Sequence, residues 1–150
     1  MTRNIVLDQL HASAVAIDGQ GVLLRGPSGA GKSDLALRLI DGGGQLIADD
    51  RVDIFQSDDG LMMAPPDSLA GMLEVRGLGI VQVRHVAPVA LAMIVDLVPG
   101  PEVPRLPDVL TTALYGADVR YLRLAAFEAS TMSKIRLAIS GGNKAMLHPS

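Results

Sequence analysis

The chain has 150 residues, enough for one domain with a buried core, and 49% hydrophobic against 19% charged residues excludes a disordered chain. A net charge of −3 excludes the broad basic face of a sequence-independent nucleic-acid binder, while leaving room for a local basic pocket. The absence of cysteine excludes disulfides and thiolate metal sites and fits a cytoplasmic location. The N-terminal run has no signal-peptide pattern, and the longest apolar segment, residues 87–95, is too short to span a bilayer. No nucleic-acid or membrane partner is expected.

In chain order, residues 13–17 and 22–25 read as a hairpin around the turn at 18–21, where Asp18-Gly19 and Gly21 supply tight-turn conformations. After the glycine-rich loop 26–33, residues 33–41 place Leu35 and Leu39 one helical turn apart, and the helix stops at Gly42–Gly44. Residues 45–48 and 52–55 read as strands flanking Asp49–Asp50, and residues 57–60 as a turn that leads to a loop at Pro65–Pro66. Residues 73–83 and 89–98 read as two further strands, the second almost continuously apolar, as a buried strand is. The stretch 99–108 holds four prolines and reads as a loop. Residues 119–126 read as a late strand, and 130–139 as a helix behind a Ser/Thr cap. Residues 1–140 are expected to form one domain and 141–150 a flexible tail. Strand-rich α/β with hairpins implies a mixed rather than purely parallel sheet.

Gly26-Pro27-Ser28-Gly29-Ala30-Gly31-Lys32-Ser33 fits the phosphate-loop pattern G-x-x-x-x-G-K-[ST] in full, between a strand and a helix, as the mechanism requires. The glycines let backbone N–H groups converge on phosphate oxygens, and the helix N-terminus adds its positive end. Lys32 is placed to reach β- and γ-phosphates and Ser33 to offer its hydroxyl to Mg²⁺, so ATP or a close relative is the expected ligand. Asp49 and Asp50 follow a buried strand; on extended backbone their side chains point to opposite faces. One can serve Mg²⁺ while the other accepts the proton of an attacking hydroxyl, and which does which stays open.

Glu74 and Arg76 stand two apart in the segment 72–81, so on a strand they share one face, with Gly77 and Gly79 allowing close backbone approach. His11 is expected on the strand preceding the hairpin, and a lone histidine there is an ordinary structural residue. Arg105, in the proline-rich loop, reads equally as a mobile cation or as a solvated loop residue. Met62 and Met63 read as packing.

Four stretches together, 11–17 with His11, 26–33, 46–54 with Asp49 and Asp50, and above all 73–81 with Glu74 and Arg76, resemble in order the catalytic domain of HPr kinase/phosphorylase over roughly residues 5–98. The resemblance implies a mixed-sheet P-loop kinase domain related to the phosphoenolpyruvate carboxykinase-like fold. It implies an ATP- and Mg²⁺-dependent protein serine kinase whose partner is HPr or an HPr-like phosphocarrier, with phosphorolysis by inorganic phosphate, giving pyrophosphate, as the reverse direction. Carried over by residue, Lys32 contacts the β/γ-phosphates, Ser33 and Glu74 hold the metal with Asp50 beside them, and Asp49 or Asp50 is the base. His11 lies near the reacting groups, Arg76 belongs to the signature, and Arg105 matches the family's mobile arginine. A hexameric homo-oligomer is also implied.

The chain departs from the pattern in starting directly at the catalytic domain, in lacking a glycine-arginine-asparagine stretch near 119–134, and in a shortened C-terminal helix. These departures favour the kinase direction over phosphorolysis. Two other readings remain open: a small-metabolite kinase, and an ATP-binding regulatory module without turnover.

Overall fold

The computed structural model describes residues 5–141. Strand β1 (Val6–Leu10) precedes the buried hairpin of β2 (Ser13–Ile17) and β3 (Gln20–Arg25), and the phosphate loop then opens helix α1 (Lys32–Asp41). Next come β4 (Gln45–Ala48), β5 (Val52–Ser57), β6 (Gly60–Ala64), β7 (Met72–Val75), β8 (Gly79–Gln82) and the long β9 (Val89–Leu97). A 3-10 turn (Gly100–Glu102) starts the proline-rich loop, and β10 (Thr111–Leu114), β11 (Ala117–Leu124) and helix α2 (Thr131–Gly141) complete the described chain.

Nine strands form one mixed sheet in the order β1-β5-β6-β9-β3-β2-β4, with β11 also on β9 and β10 on β11. β3, β9 and β11 run parallel, whereas β2 runs antiparallel between β3 and β4. The apolar alternation of the central strands serves two cores. Val15, Val22, Leu24, Met93 and Val95 pack beneath Leu35 and Leu39 of α1 and Ile135 and Ile139 of α2. Ala14, Ala16, Leu23 and Ile94 face the other way, onto Val52, Ile54, Leu61 and Met63, because β5 and β6 curl back over that face.

α1 ends as its glycines suggest: Gly42, Gly43 and Gly44 donate backbone N–H groups to the carbonyls of Arg38, Ile40 and Leu39. The structure corrects the sequence reading at three strands and one hairpin. β1, β6 and β10 lie where no strand was expected, and β6 carries Met62 and the fully buried Met63. Residues 73–83 do not form one strand. They form the hairpin β7–β8, a separate two-stranded sheet turning at Arg76–Leu78, with Gly77 and Gly79 at φ of 97° and 96°. The expected tail beyond residue 141 lies outside the described residues. No helix among the described residues is long and apolar enough to cross a membrane.

Gly21 lies where β3 comes closest to its neighbours: a Cβ there would stand 2.5 Å from the Ala90 carbonyl oxygen and 2.6 Å from Met63 Cε. Backbone cannot yield as a flexible side chain does, so Gly21→Ala is expected to destabilise the fold by about 1–3 kcal/mol. Urea unfolding checks this, and an unchanged midpoint would contradict the packing described.

Candidate active site

The direction of the strands assembles the site. β3 and β4 both run antiparallel to β2, so the C-terminal ends of β3 and β4 meet the start of β2 at one edge of the sheet. The pairings Ser13 with Leu24 and Ala14 with Ala48 fix this alignment. The phosphate loop leaves β3 there, Asp49 and Asp50 leave β4, and Ser13 opens β2. Ligand crevices of open α/β sheets form at such carboxyl ends.

The loop is closed by a hydrogen bond from Ala30 N–H to the Pro27 carbonyl (3.0 Å). Gly29 and Gly31 have φ of 84° and 98°, which a side chain would strain, and Gly31 begins α1 with no side-chain cap. The helix's first N–H groups are thereby left for an anion. Lys32 Nζ donates to the carbonyls of Gly26 (2.6 Å) and Pro27 (3.0 Å), which holds it across its own loop.

Asp49 ties these parts together. It is buried; its Oδ1 accepts hydrogen bonds from the hydroxyls of Ser13 (2.7 Å) and Ser33 (2.8 Å), and its Oδ2 accepts the backbone N–H of Glu74 (3.3 Å). One carboxylate thus joins β2, α1, β4 and the β7–β8 hairpin. Asp50 differs: it is exposed, with φ of 69°. The expected extended Asp-Asp pair is therefore corrected to one buried and one exposed carboxylate, the second turned by a left-handed residue that Asp tolerates.

A cavity of about 550 Å³ opens over the loop, lined by Ser13, Ser28, Gly29, Gly31, Lys32 and Ser33 on the loop side. Asp50, Glu74, Val75 and Arg76 line it as well, and Asp34, Leu37 and Phe127 complete the wall. Lys32, Ser33, Asp50, Glu74 and Arg76 are thus brought together, with Asp49 beneath them. Arg76 reaches the cavity from the hairpin turn, not from a strand face shared with Glu74, which corrects the expected extended segment. His11 stands on the bend before β2, exposed and off the strand, and is not among the residues lining the cavity. Arg105 lines a different cavity, of about 460 Å³, beside Arg123 and Lys134. The sequence reading missed five of the lining residues: Ser13, Asp34, Leu37, Val75 and Phe127, of which Ser13 and Phe127 come from outside the loop, α1 and the hairpin. A serine inside the apolar run 12–17 was the available signal for the first; an aromatic just past a strand signals nothing by itself.

Beside the loop, Arg25 forms a two-pronged ion pair with Asp96 of β9, Nε to Oδ1 at 2.7 Å and Nη2 to Oδ2 at 3.0 Å, and the Tyr121 hydroxyl donates to Asp96 Oδ2 at 2.7 Å. Burial alone would push the Asp96 carboxyl up, but the hydrogen bonds from Arg25 and Tyr121 outweigh it and hold it below 3.8. The bond to Asp96 also raises the Arg25 guanidinium, against the opposing effect of burial. Because Arg25 immediately precedes Gly26, this pair fixes the entry of the phosphate loop.

The family profile of the HPr Serine kinase C-terminal domain matches residues 6–91, more than half of the chain. The chain belongs to the HPr serine kinase C-terminal domain family. Relatives include an HPr kinase/phosphorylase of Lacticaseibacillus casei, 49% identical over 77 residues, covering 51% of this chain and 24% of that protein. An HPr kinase/phosphorylase of Enterococcus faecalis is 45% identical over 84 residues, covering 55% of this chain and 27% of its own length. The match thus spans about a quarter of the length of these relatives. Among solved structures, the Hpr(Ser) kinase/phosphatase from Coxiella burnetii superposes with a TM-score of 0.76 at 27% identity, covering 92% of this chain and 96% of that one. The large curled mixed sheet is therefore that of an HPr kinase domain, and membership of a kinase domain family implies nucleotide use.

The Asp96 pair yields a pH test. A carboxyl held below 3.8 in the folded state stabilises the fold above that pH, and the contribution is lost as pH falls through the lowered value. Asp96→Asn should therefore melt below wild type at pH 7, with the gap shrinking as the pH is taken below about 4. Thermal melts at a series of pH values check this; a gap independent of pH would contradict it.

Proposed function

We propose that this domain is an ATP-dependent protein serine kinase that phosphorylates a seryl residue of HPr or an HPr-like carrier, with phosphorolysis of the product by inorganic phosphate as a secondary activity. The observation that carries the reading is the Ser33–Asp49 hydrogen bond at 2.8 Å beneath a cavity into which Asp50, Glu74 and Lys32 open. A phosphate loop alone is shared by many nucleotide binders; the added carboxylates are what phosphoryl transfer to a hydroxyl requires.

The donor set fits Mg²⁺. Among the described residues no group of three or more His, Cys, Asp or Glu could hold a metal alone, and Mg²⁺ beside a nucleotide takes one or two carboxylates together with phosphate oxygens. Ser33 and Glu74 would hold the ion, and Asp49 keeps the Ser33 hydroxyl and the Glu74 backbone in register. When bound, Mg²⁺ supplies charge neutralisation for the β- and γ-phosphates.

Lys32 and the N–H groups of residues 29–33 bind the phosphates and stabilise charge on the leaving ADP. Both Asp49 oxygens already accept hydrogen bonds, whereas Asp50 is exposed on the cavity wall, which supports Asp50 as the base. It takes the proton of the substrate serine as that oxygen bonds to the γ-phosphorus and the bond to the ADP oxygen breaks. In phosphorolysis, a separate reaction at the same site, an oxygen of inorganic phosphate bonds to the phosphoserine phosphorus as its bond to the serine oxygen breaks, Asp50 gives that oxygen a proton, and pyrophosphate leaves. Arg76 faces the same cavity as a cation for phosphate charge or for docking the carrier. His11, exposed two residues before Ser13, is proposed near the reacting groups and Arg105, beside a second cavity, as the mobile cation; both roles rest on the family resemblance. The relation to phosphoenolpyruvate carboxykinase and a hexameric assembly rest on family resemblance alone, and the cytoplasmic location and the domain limits at 1–140 on the sequence reading alone.

Incubation of the protein with HPr and Mg·ATP should yield phosphoserine on HPr by mass spectrometry; none formed would overturn the reading. Lys32→Ala should abolish the signal. Asp50→Asn should lower kcat by about 10²- to 10⁴-fold, the usual worth of a general base, while ATP affinity is retained. An Asp50→Asn enzyme turning over at the wild-type rate would remove Asp50 as the base.

A further inference from the structure

Phe127 is 71% exposed, whereas the other phenylalanine, Phe55, is buried. A single exposed apolar residue needs no explanation by itself. Phe127 is set apart by its support and its place. Its loop is fixed on both sides: the buried Thr131 hydroxyl donates to the Ala125 carbonyl, and the Arg38 guanidinium of α1 donates to the Ala126 carbonyl. The Thr131 N–H bonds the Glu128 carbonyl at 3.2 Å. The distal edge of the ring lies against the phosphate loop, so close that a Cβ at Gly31 would stand 2.8 Å from Phe127 Cζ. The rest of the ring is open to the cavity it shares with Ser28, Gly29, Lys32 and Asp34.

The strand order gives this placement a direction. Across the sheet the strands run β4-β2-β3-β9-β11, with the phosphate loop leaving the central β3. Asp49 and Asp50 come from β4 on one flank, while Phe127 comes from the end of β11 on the other. A nucleotide whose phosphates lie on the loop, with its reacting end toward Asp50 and Glu74, must direct its sugar and base toward the β11 flank. At about 4.8 Å per strand, β11 lies roughly 10 Å from β3, and the Phe127 side chain spans that gap back to the loop, ending against Gly31.

We infer that Phe127 is the platform on which the nucleobase of the bound phosphate donor stacks. It rests on the phosphate-donor reading above and adds the base-binding residue. A rigid, exposed aromatic face is what base stacking uses, and it is tolerant of base identity because every base has a π-face.

Calorimetric titration of wild type, Phe127→Ala, Phe127→Leu and Phe127→Tyr with Mg·ATP and with Mg·pyrophosphate tests this. The Kd for ATP should rise roughly 10-fold in Phe127→Ala and Phe127→Leu and be restored in Phe127→Tyr, while the Kd for pyrophosphate, which has no base, stays level. Circular dichroism melts of the four proteins should coincide. An unchanged ATP affinity in Phe127→Ala overturns the inference. So does a parallel loss for ATP and pyrophosphate, which would make Phe127 a prop of the loop, or a rise confined to the KM for the carrier protein, which would make it a docking residue. Wild type binding neither ligand would instead defeat the phosphate-donor reading, and this inference with it.

Discussion

One buried carboxylate holds the site together. Asp49 accepts hydrogen bonds from Ser13, Ser33 and the backbone of Glu74, three groups distant in sequence and delivered by three different elements. Hydrogen bonds to a charged acceptor contribute about 1.5–3 kcal/mol each, and losing one partner leaves a buried polar group unsatisfied. The position of the phosphate loop relative to the β7–β8 hairpin therefore depends on Asp49. The β7–β8 ladder is separate from the main sheet; Leu73 in the core, the bond from Glu74 N–H and, just past β8, the bonds of Leu46 to Arg84 and Val86 fasten it over α1.

The sheet makes that convergence possible. A strand running antiparallel between two others brings its own start to their ends, so Ser13, Gly26 and Asp49 arrive at one edge without a long loop. β9 then extends the edge in parallel with β3 and β11, and the Arg25–Asp96 pair clamps to it the strand residue that leads into the loop. A two-sided core supports the sheet there: helices cover one face and the curled β5–β6 pair covers the other.

What could be read from residues alone follows from how local each feature is. The phosphate loop, α1 with its glycine stop and the β2–β3 hairpin are set by neighbouring residues, and they stand where expected. The segment 72–81 was harder, because alternating apolar residues fit a strand and only the positive φ at Gly77 and Gly79 reveals the reversal. The family signature was legible there while its shape was not, so Glu74 lies in a strand and Arg76 in a turn. The unequal pair Asp49–Asp50 was out of reach, since burial of one partner is decided by Ser13 and Ser33. Arg105 marks another limit: a role carried over by resemblance to a loop residue says nothing of where the loop lies, and here it borders a second cavity.

The most direct test of the account is a double-mutant cycle between Ser33 and Asp49, read as unfolding free energy in urea without nucleotide or metal. If Asp49 pins the start of α1, then Ser33→Ala, Asp49→Ala and the double variant should show a coupling of about 1 kcal/mol or more, the double costing less than the sum of the singles. Strictly additive losses would mean that the two residues stand side by side without holding each other, and the site would need another keystone.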